Sequence, residues 1–303
     1  MKPSVIPPPL RLSSPRPGPF AQVDPRLNPA QAAATPDRPG RRACLGLGVL
    51  ALTGCAVRPL SEPPSAPVST TSASGAEAPL PAQVMPFSVA TPGTQAPAGW
   101  RHYILRRDRP QTRYAVVRDG PRRVLHAHAA AAATGLQCPV SIEPVAGARL
   151  RFSWRVTQMH DDATVARGEV DDSPARIVLA FDGDDARLPL RERLFFDQVE
   201  LFTGQRLPYA TLMYVWDRHL PTESVIHNHR TSRIRYLTVE HGQARLGAWL
   251  AYERDVVADY RRAFGEAPRR ISSVGVLTDS DALKHEQQAW YGDIEYLAPR
   301  AAG

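Results

Sequence analysis

Apolar and polar residues alternate along much of the chain after its first third. The clearest case is the segment 149–156, in which Leu150, Phe152, Trp154 and Val156 are apolar and the residues between them are polar. Since successive side chains of a β-strand point to opposite faces, this pattern predicts a strand with one buried face. β-branched and aromatic residues bounded by Gly, Pro or Asp predict seven further strands. These segments are 113–117, 122–128, 175–181, 211–216, 234–239, 271–277 and 293–297.

Two segments have the period of a helix instead. Residues 253–264 carry apolar side chains at helical spacing and stop before Gly265, which is a common helix end. In residues 190–202, Leu194 and Phe202 lie at approximately helical spacing, which predicts a second helix. Many strands without a regular alternation of strands and helices indicate a mainly β fold. We therefore expect an antiparallel β-sandwich or jelly-roll-like domain with one or two short helices.

Proline divides the chain into two parts. Of the 30 Pro residues, 20 precede Gly99. The first third consists largely of Pro, Ala, Ser, Thr and Gly, which bury too little apolar surface to offset the entropy of ordering a chain. We expect a leader over 1–54, a disordered tether over 55–98 and the β-sandwich domain over 99–303.

The expected leader ends in a pattern typical of a bacterial lipoprotein signal. Arg41 and Arg42 precede an apolar run over 43–52, and the sequence LTGC ends at Cys55. A basic flank, a short apolar run and a small-residue cleavage site form a secretory signal that is too short to span a bilayer. The last four residues resemble a lipobox, which predicts lipidation of Cys55. Because 40 residues precede Arg41, we expect the start to be assigned too far upstream.

The leader also accounts for most of the charge. The formal net charge is +7, and residues 1–54 contain 7 basic and 2 acidic residues. A basic total raises a nucleic-acid hypothesis, but a charge that lies in a removed leader does not support it. Ala56 follows Cys55, which favours sorting to the outer membrane. The expected location is the periplasmic face of that membrane, with the lipid anchor as the contact.

Several motifs of the presumptive domain resemble the bacterial domain of unknown function 3047 family. The motifs are FSWRV around Trp154, GEVDDSPARI at 168–177, YVW at 214–216, RDVVADY at 254–260, and VGVLTDSD at 274–281. They occur in family order across essentially all of residues 99–296. Residues 282–285, ALKH, depart from the short Asn-Thr segment that the family usually has there. The resemblance implies a sandwich-like extracytoplasmic domain and supplies no activity.

Two pairs of carboxylates are the candidate ligand-binding residues. Asp171 and Asp172 precede a predicted strand, with Arg176 at its start. Adjacent carboxylates are costly together unless a cation lies near them, so we expect Asp172 to pair with Arg176 or with an arginine of a neighbouring strand; the alternative is a cation or polyol site. Asp279 and Asp281 come at the end of an apolar strand, where we expect them to cap a turn; the alternative is a structural calcium ion, which carboxylate oxygens in such a loop suit.

Aromatic and histidine side chains provide further candidates. Trp216 is followed by the polar residues DRH, so we expect an exposed ring that could stack on a sugar. His126 and His128 are two residues apart, as are His227 and His229. On a strand each pair would face one way, as a metal site needs, although isolated surface histidines are the default expectation.

The sequence names no catalytic residue. No local pattern distinguishes an acid/base carboxylate pair, and no phosphate-binding loop or nucleophile motif is present. We therefore expect a lipoprotein that binds a glycan or another polyhydroxylated envelope ligand. The alternatives are a hydrolase of envelope polysaccharide that uses the four candidate carboxylates, and a purely structural envelope protein. Calcium is the one cofactor that the pattern raises.

Overall fold

The computed structural model describes residues 79–104 and 107–299. These residues form two packed β-sheets with two α-helices, which confirms the predicted mainly β sandwich. The expected leader, Cys55 and the expected tether up to residue 78 lie outside the described residues.

Thirteen strands and two α-helices make up this part of the chain. The strands are β1 (Arg101–Ile104), β2 (Arg113–Asp119), β3 (Arg122–Ala130), β4 (Ala133–Ile142), β5 (Arg149–Val156), β6 (Arg176–Phe181), β7 (Ala210–Asp217), β8 (Val225–His227), β9 (Ile234–His241), β10 (Leu250–Arg254), β11 (Ile271–Asp279), β12 (Glu286–Tyr291) and β13 (Glu295–Leu297). The helices are α1 (Leu190–Thr203) and α2 (Val256–Phe264). All eight predicted strands are present, and β1, β4, β8, β10 and β12 were not predicted.

The strands divide between a seven-stranded and a six-stranded sheet. The seven-stranded sheet has the order β1-β4-β11-β6-β7-β9-β8. The second sheet has the order β10-β5-β12-β3-β2, with β13 paired to β5. Strands β7 and β9 pair in parallel, and the other strand pairs within the described ranges are antiparallel. The expected antiparallel arrangement is therefore correct apart from one pair.

The core lies between the two sheets and is rich in aromatic rings. The ring of Phe152 on β5 stacks on Tyr214 of β7, with ring centroids 5.7 Å apart. Trp154 and Trp216, on the same two strands, are also stacked, with centroids 6.4 Å apart. Since β5 and β7 belong to different sheets, these rings join the two layers. Aromatic pairs at such separations add stability beyond the area that they bury.

The folded domain begins earlier than the sequence predicted. Val84 and Phe87 are buried in the core, although the expected tether extended to residue 98. The ring of Phe87 packs on Trp100 with centroids 4.6 Å apart, and Asp293 accepts hydrogen bonds from the backbone and the hydroxyl of Ser88. The tether boundary at 98 is therefore wrong. A few large apolar side chains anchor this Pro-rich segment, and average composition does not detect them.

Helix α2 packs against the seven-stranded sheet at β9 and β7. The side chain of Asp255 caps its N-terminus by accepting a hydrogen bond from the Ala258 N–H at 2.9 Å. Gly265 ends it in the left-handed conformation, with φ of 74°. Strand β10 occupies the first two positions of the predicted helix, so α2 starts three residues later than expected.

Helix α1 exists as predicted but buries a different face. Its buried residues are Glu192 and Phe196, whereas Leu194 and Phe202 of the predicted apolar stripe are exposed. The carboxylate of Glu192 accepts hydrogen bonds from Thr231 and Ser232, which holds this face of the helix against the body of the domain. No helix within the described ranges has the length and apolar character that crossing a bilayer requires.

Candidate ligand-binding site

The outer face of the seven-stranded sheet, which is turned away from the core, carries two neighbouring polar features. Along β11, Ser273, Gly275, Leu277 and Asp279 lie on this face and alternate with core residues. Arg176 begins β6 directly opposite Leu277. Positions two apart on a strand are separated by about 7 Å. A cleft over the first part of β11 and a charged cluster at its end are therefore consecutive on one surface.

The charged cluster consists of four carboxylates and one arginine, and we call it the acidic cluster. Its members are Asp171, Asp172, Arg176, Asp279 and Asp281. The first two lie in the loop before β6, the third begins β6, the fourth ends β11 and the fifth follows it. The two carboxylate pairs identified in the sequence therefore meet at one place.

The guanidinium of Arg176 joins two loops of the acidic cluster. Its Nη2 atom donates to Asp279 Oδ2 at 2.7 Å and to Asp171 Oδ1 at 3.0 Å. The arginine side chain is 3% exposed. The predicted pairing of Arg176 with Asp172 is therefore wrong, since Asp171 and Asp279 bind the guanidinium instead.

Asp172 instead holds the loop that follows β11. Its carboxylate accepts hydrogen bonds from the backbone N–H groups of Ala282 at 3.1 Å and Leu283 at 2.8 Å. His285 Nδ1 lies 3.6 Å from the same carboxylate. This carboxylate thus orders the four residues, 282–285, that depart from the pattern of the resembled family.

Burial governs the electrostatics of the acidic cluster. Removal from water raises the pKa of Asp279 to about 8, the neighbouring Arg176 opposes this change, and the charges of Asp172 and Asp171 add to it. The hydroxyl of Tyr236 donates to Asp171 Oδ2 at 2.9 Å. Burial also raises the pKa of Tyr236, so this hydroxyl keeps its proton and remains a donor.

Three carboxylates of the acidic cluster could hold a hard cation. Asp172, Asp279 and Asp281 each bring one oxygen atom within 4.8 Å of the others. A carboxylate oxygen has more than one lone pair, so the hydrogen bonds to Asp172 and Asp279 leave acceptor capacity, while Arg109 Nε lies 3.6 Å from Asp281 Oδ2. Calcium takes six to eight oxygen ligands, and backbone carbonyls or water would have to supply the rest.

The second feature is a cleft of about 630 Å³ over the middle of the outer face. Its floor consists of outward-facing residues of β4, β11, β6 and β7, and β1 and the segment after α1 form its walls. Side chains that line it include Arg101, Tyr103, Gln137, Val178, Gln205, Arg206, Leu207, Thr211, Met213, Ser273 and Leu277. The volume lies in the range of small-molecule sites, which combine apolar surface with a few polar groups.

At two glycine positions the floor of the cleft carries no side chain. A Cβ atom at Gly135 would lie 2.9 Å from the carbonyl oxygen of Val276, and one at Gly275 would lie 2.9 Å from that of Leu136. These contacts are too short for ordinary packing, so a side chain at either position would force the strands to shift. Tyr103 of β1 lies directly opposite Gly135, and residues paired in this way share a face of the sheet.

The described side chains that line the cleft include two arginines and no carboxylate. Arg206 is neutralised at the rim, since it donates to Asp185 at 2.9 Å and to Glu200 at 2.9 Å. Arg101 is exposed on the edge strand β1 and forms no ion pair with a carboxylate of the described residues. The uncompensated charge that this lining offers is therefore positive.

A buried polar atom in the same lining has no hydrogen-bond partner. Gln205 Oε1 is shielded from solvent and unpaired among the described residues. Buried acceptors of this kind are costly unless a ligand or water donates to them. Burial raises the pKa of the nearby wall residue Tyr103 to about 12, so its hydroxyl is protonated at neutral pH.

The family model described as "Protein of unknown function (DUF3047)" matches residues 98–295. The chain belongs to this family. The matched region contains the whole acidic cluster and nearly all of the cleft, so both features lie within the DUF3047 domain. No curated protein is similar to the chain in sequence.

Several solved structures are similar to the chain at low sequence identity. An arabinose-bound α-L-arabinofuranosidase is 12% identical over 72% of this chain and 26% of its own, with a TM-score of 0.34. The K1 cleaved adhesin domain of Lys-gingipain from Porphyromonas gingivalis W83 is 9% identical over 71% of this chain and 98% of its own, with a TM-score of 0.32. A β-1,2-glucanase from Parabacteroides distasonis is 12% identical over 74% of this chain and 26% of its own, with a TM-score of 0.31. The chain thus spans about a quarter of the length of the two enzymes.

Trp216 does not belong to the DUF3047 cleft. Its side chain is fully buried between the sheets, where it stacks on Trp154. Its indole Nε1 donates to the carbonyl oxygen of Gly242 at 2.9 Å. The predicted exposed sugar-stacking ring is therefore wrong, because Trp216 lies on the inner face of β7, and the polar run that follows it begins with Asp217, which is itself a buried residue of β7.

The two histidine pairs lie apart from each other. His126 and His128 are on β3 of the six-stranded sheet, whereas His227 ends β8 of the seven-stranded sheet. His126 stacks on Trp290 with ring centroids 4.7 Å apart. The first pair and His227 thus occupy different sheets, His229 follows β8, and among the described residues no histidine belongs to a group that could hold a metal ion.

The cleft residues Arg101, Tyr103, Gln137 and Gln205 were not identified from the sequence. Each lies in a segment without a strong local motif, and β1 and β4 were not predicted as strands. The one available signal was the pair of glycines, Gly135 and Gly275, inside strand-like segments, since an isolated glycine there marks close backbone approach.

Proposed function

We propose that this DUF3047 domain is a binding module whose outer-face cleft holds a polyhydroxylated ligand of the cell envelope, most simply a glycan. The observation that carries the proposal is the cleft of about 630 Å³ itself, whose lining combines apolar and hydrogen-bonding side chains. It lies on the face of the sheet that the core does not use.

The composition of the cleft matches the two-sided chemistry of a sugar. A pyranose ring has a C–H face that packs on apolar and aromatic surface, and Val178, Met213 and Tyr103 offer such surface. Its hydroxyl edge both donates and accepts hydrogen bonds, as do the amides of Gln137 and Gln205. A mixed lining of this kind orients a ligand through a few polar contacts while burying its apolar face.

The distribution of carboxylates supports binding over hydrolysis. Glycoside hydrolysis uses two carboxyl groups that flank the bond, about 5–10 Å apart. The described residues that line the cleft include no Asp or Glu. In the acidic cluster, Asp171 and Asp279 are bound to Arg176, and Asp172 is bound to backbone N–H groups.

The proposal also includes the location and a cation. The LTGC sequence ending at Cys55 supports a lipid-anchored module on the periplasmic face of the outer membrane. The oxygens of Asp172, Asp279 and Asp281 within 4.8 Å of one another support a structural calcium ion beside the cleft. The cation would tie the loop before β6 to the end of β11 and would take no part in chemistry.

Blocking the cleft tests the proposed function. Ser273→Phe places an aromatic ring on the partly exposed floor of the cleft, and Ala251→Phe places the same ring on exposed β10 of the other sheet. Envelope glycan fragments should raise the melting temperature of the wild-type chain and of Ala251→Phe increasingly as their concentration rises. Ser273→Phe should lose this response while it keeps its unliganded melting temperature. A response that survives Ser273→Phe would move the binding site away from the cleft.

A further inference from the structure

We propose that the ligand of the outer-face cleft is an acidic sugar whose negatively charged group binds Arg101. This inference rests on the proposed function and names the class of ligand. It follows from three properties of the lining: its sign of charge, its unpaired acceptor and the position of its aromatic wall.

The charge of the cleft favours an anion. Arg101 and Arg206 line it, and the lining residues in the described ranges include no carboxylate. Arg206 is already bound by Asp185 and Glu200, so Arg101 supplies the free positive charge. A guanidinium binds a carboxylate or an ester anion through paired N–H donors, which a neutral sugar cannot exploit.

The position of Arg101 directs its side chain to the cleft. In the register of β1 and β4, Arg101 lies opposite Gln137 and Tyr103 lies opposite Gly135. The next strand places Gly275 opposite Gln137. Because opposed residues share a face of the sheet, Arg101 and Tyr103 both project to the cleft from β1, next to Gln137 and Gly135 of β4.

The remaining polar groups select hydroxyls beside the anion. Gln205 Oε1 is a buried acceptor without a partner among the described residues, so it requires an O–H or N–H donor and would repel a carboxylate. The Tyr103 hydroxyl stays protonated, since burial raises its pKa to about 12. A cation, an unpaired acceptor and an aromatic face together fit a ligand that is both acidic and hydroxylated. An apolar acid such as a fatty acid would leave the Gln205 acceptor unsatisfied.

The test compares matched sugars on the full chain. Trigalacturonate and galactotriose have equal length and differ in the acid groups. We expect the acidic trimer to bind at least about tenfold more tightly at low salt. Raising NaCl from about 0.05 to about 0.5 M should remove most of this difference through screening. A comparison of the affinities for galactose 6-phosphate and galacturonate then distinguishes a phosphate ester from a carboxylate as the source of the charge.

Variants assign the preference to one residue. Arg101→Gln should bring the affinity for trigalacturonate down to that for galactotriose, while Arg101→Lys should keep part of the preference. Arg118→Gln is the matched control, since Arg118 is an exposed strand arginine on the other sheet. The control should bind as the wild type does.

The outcomes separate this inference from the proposed function. Equal binding of the two trimers, both blocked by Ser273→Phe, would overturn the acidic-sugar inference and leave the glycan-binding function standing. Tighter binding of decanoate than of galacturonate would overturn it as well. Binding of neither trimer would overturn both. An acid preference that Arg101→Gln leaves unchanged would also overturn the assignment to Arg101.

Discussion

Leu277 of β11 lies directly opposite Arg176 of β6 on one side and opposite Gly135 of β4 on the other. One row of the sheet therefore joins the floor of the cleft to the centre of the acidic cluster. Neighbouring strands are about 4.8 Å apart, so the backbone of Arg176 directly flanks Leu277 on the floor of the cleft. The stability of the cluster and the shape of the cleft are consequently linked.

Arg176→Met should destabilise the domain strongly. The substitution leaves Asp279 and Asp171 in the acidic cluster without their cation, and breaking a buried ion pair from one side costs about 3–5 kcal/mol. Urea unfolding at neutral pH measures the loss. Arg118→Gln, at an exposed position of the other sheet, should change the unfolding free energy by less than about 0.5 kcal/mol. Equal stability of Arg176→Met and the wild type would contradict the structural role of the cluster.

Asp172→Asn should lower the unfolding free energy by about 1–3 kcal/mol, because one acceptor oxygen is replaced by an amide that cannot accept the backbone N–H of residue 282 or 283. Ligand binding in the cleft should remain. Exposed Asp162 provides the matched variant, Asp162→Asn, whose unfolding free energy should be close to that of the wild type. Unchanged unfolding together with lost ligand binding would place Asp172 in the binding site instead.

Glu223 should contribute to stability in a pH-dependent way. Hydrogen bonds from Arg254, at 2.6 Å, and from Arg262 lower the pKa of Glu223 below its ordinary value of 4.5. Because the folded state favours the ionised form, this stabilisation is present above the unfolded pKa and is lost as the pH falls through the folded pKa. Glu223→Gln should cost up to about 1 kcal/mol at pH 7, since the partly exposed pair is screened.

Urea unfolding of the wild type and Glu223→Gln between pH 7 and pH 3 measures this effect. The difference between the two should shrink towards acid pH. Glu169→Gln, at an exposed carboxylate without an ion pair among the described residues, should show no such trend. A difference that is constant from pH 7 to pH 3 would exclude the ionisation of Glu223 as its cause.

Calcium should raise the melting temperature of the chelator-treated chain in a concentration-dependent manner, because an ion that binds only the native state stabilises it. Asp281→Asn removes one of the three proposed ligands and should reduce this shift. Asp162→Asn should retain it. If millimolar calcium leaves the melting temperature of the wild type unchanged, the acidic cluster is a network of ion pairs and hydrogen bonds without a metal.

Cys55→Ser should release the protein from membranes. The substituted hydroxyl cannot carry the thioether-linked lipid that the LTGC sequence predicts, and Cys138 offers no substitute because it is buried in the domain. Fractionation of cells that express each form measures the effect, and Cys138→Ser should stay with the membrane fraction. A Cys55→Ser protein that still sediments with the envelope would contradict the lipid anchor.

The strands that the sequence predicted carry a signal in their own residues. In β5, for example, Leu150 and Trp154 alternate with polar residues, so the pattern itself specifies a half-buried strand. Strand β4 was missed because it contains Gly135 and Pro139 and is buried on much of both faces. It is held by its neighbours β1 and β11, and such support has no signature in its own residues.

The candidate site was predicted only in part, because its tertiary contacts also have no signature in the local sequence. Adjacent carboxylates at Asp171 and Asp172 indicated a charged loop, yet which of them reaches Arg176 depends on the path of that loop. The exposure of Trp216 depended on which face of β7 turns inward. A shift of one residue along a strand reverses the face of every side chain, so local composition could not decide it.

By itself, the sequence determined the alternation that builds the sandwich and the helix end at Gly265, because each depends on residues that are close together along the chain. The lipoprotein-type leader stays a prediction. Only the tertiary structure determined which residues come together to form the cleft. Arg101, Gln137, Gly275 and Val178 come from four different strands, and they share one row only because those strands are neighbours in the sheet. The order of strands is set by packing over the whole core, which no local pattern encodes.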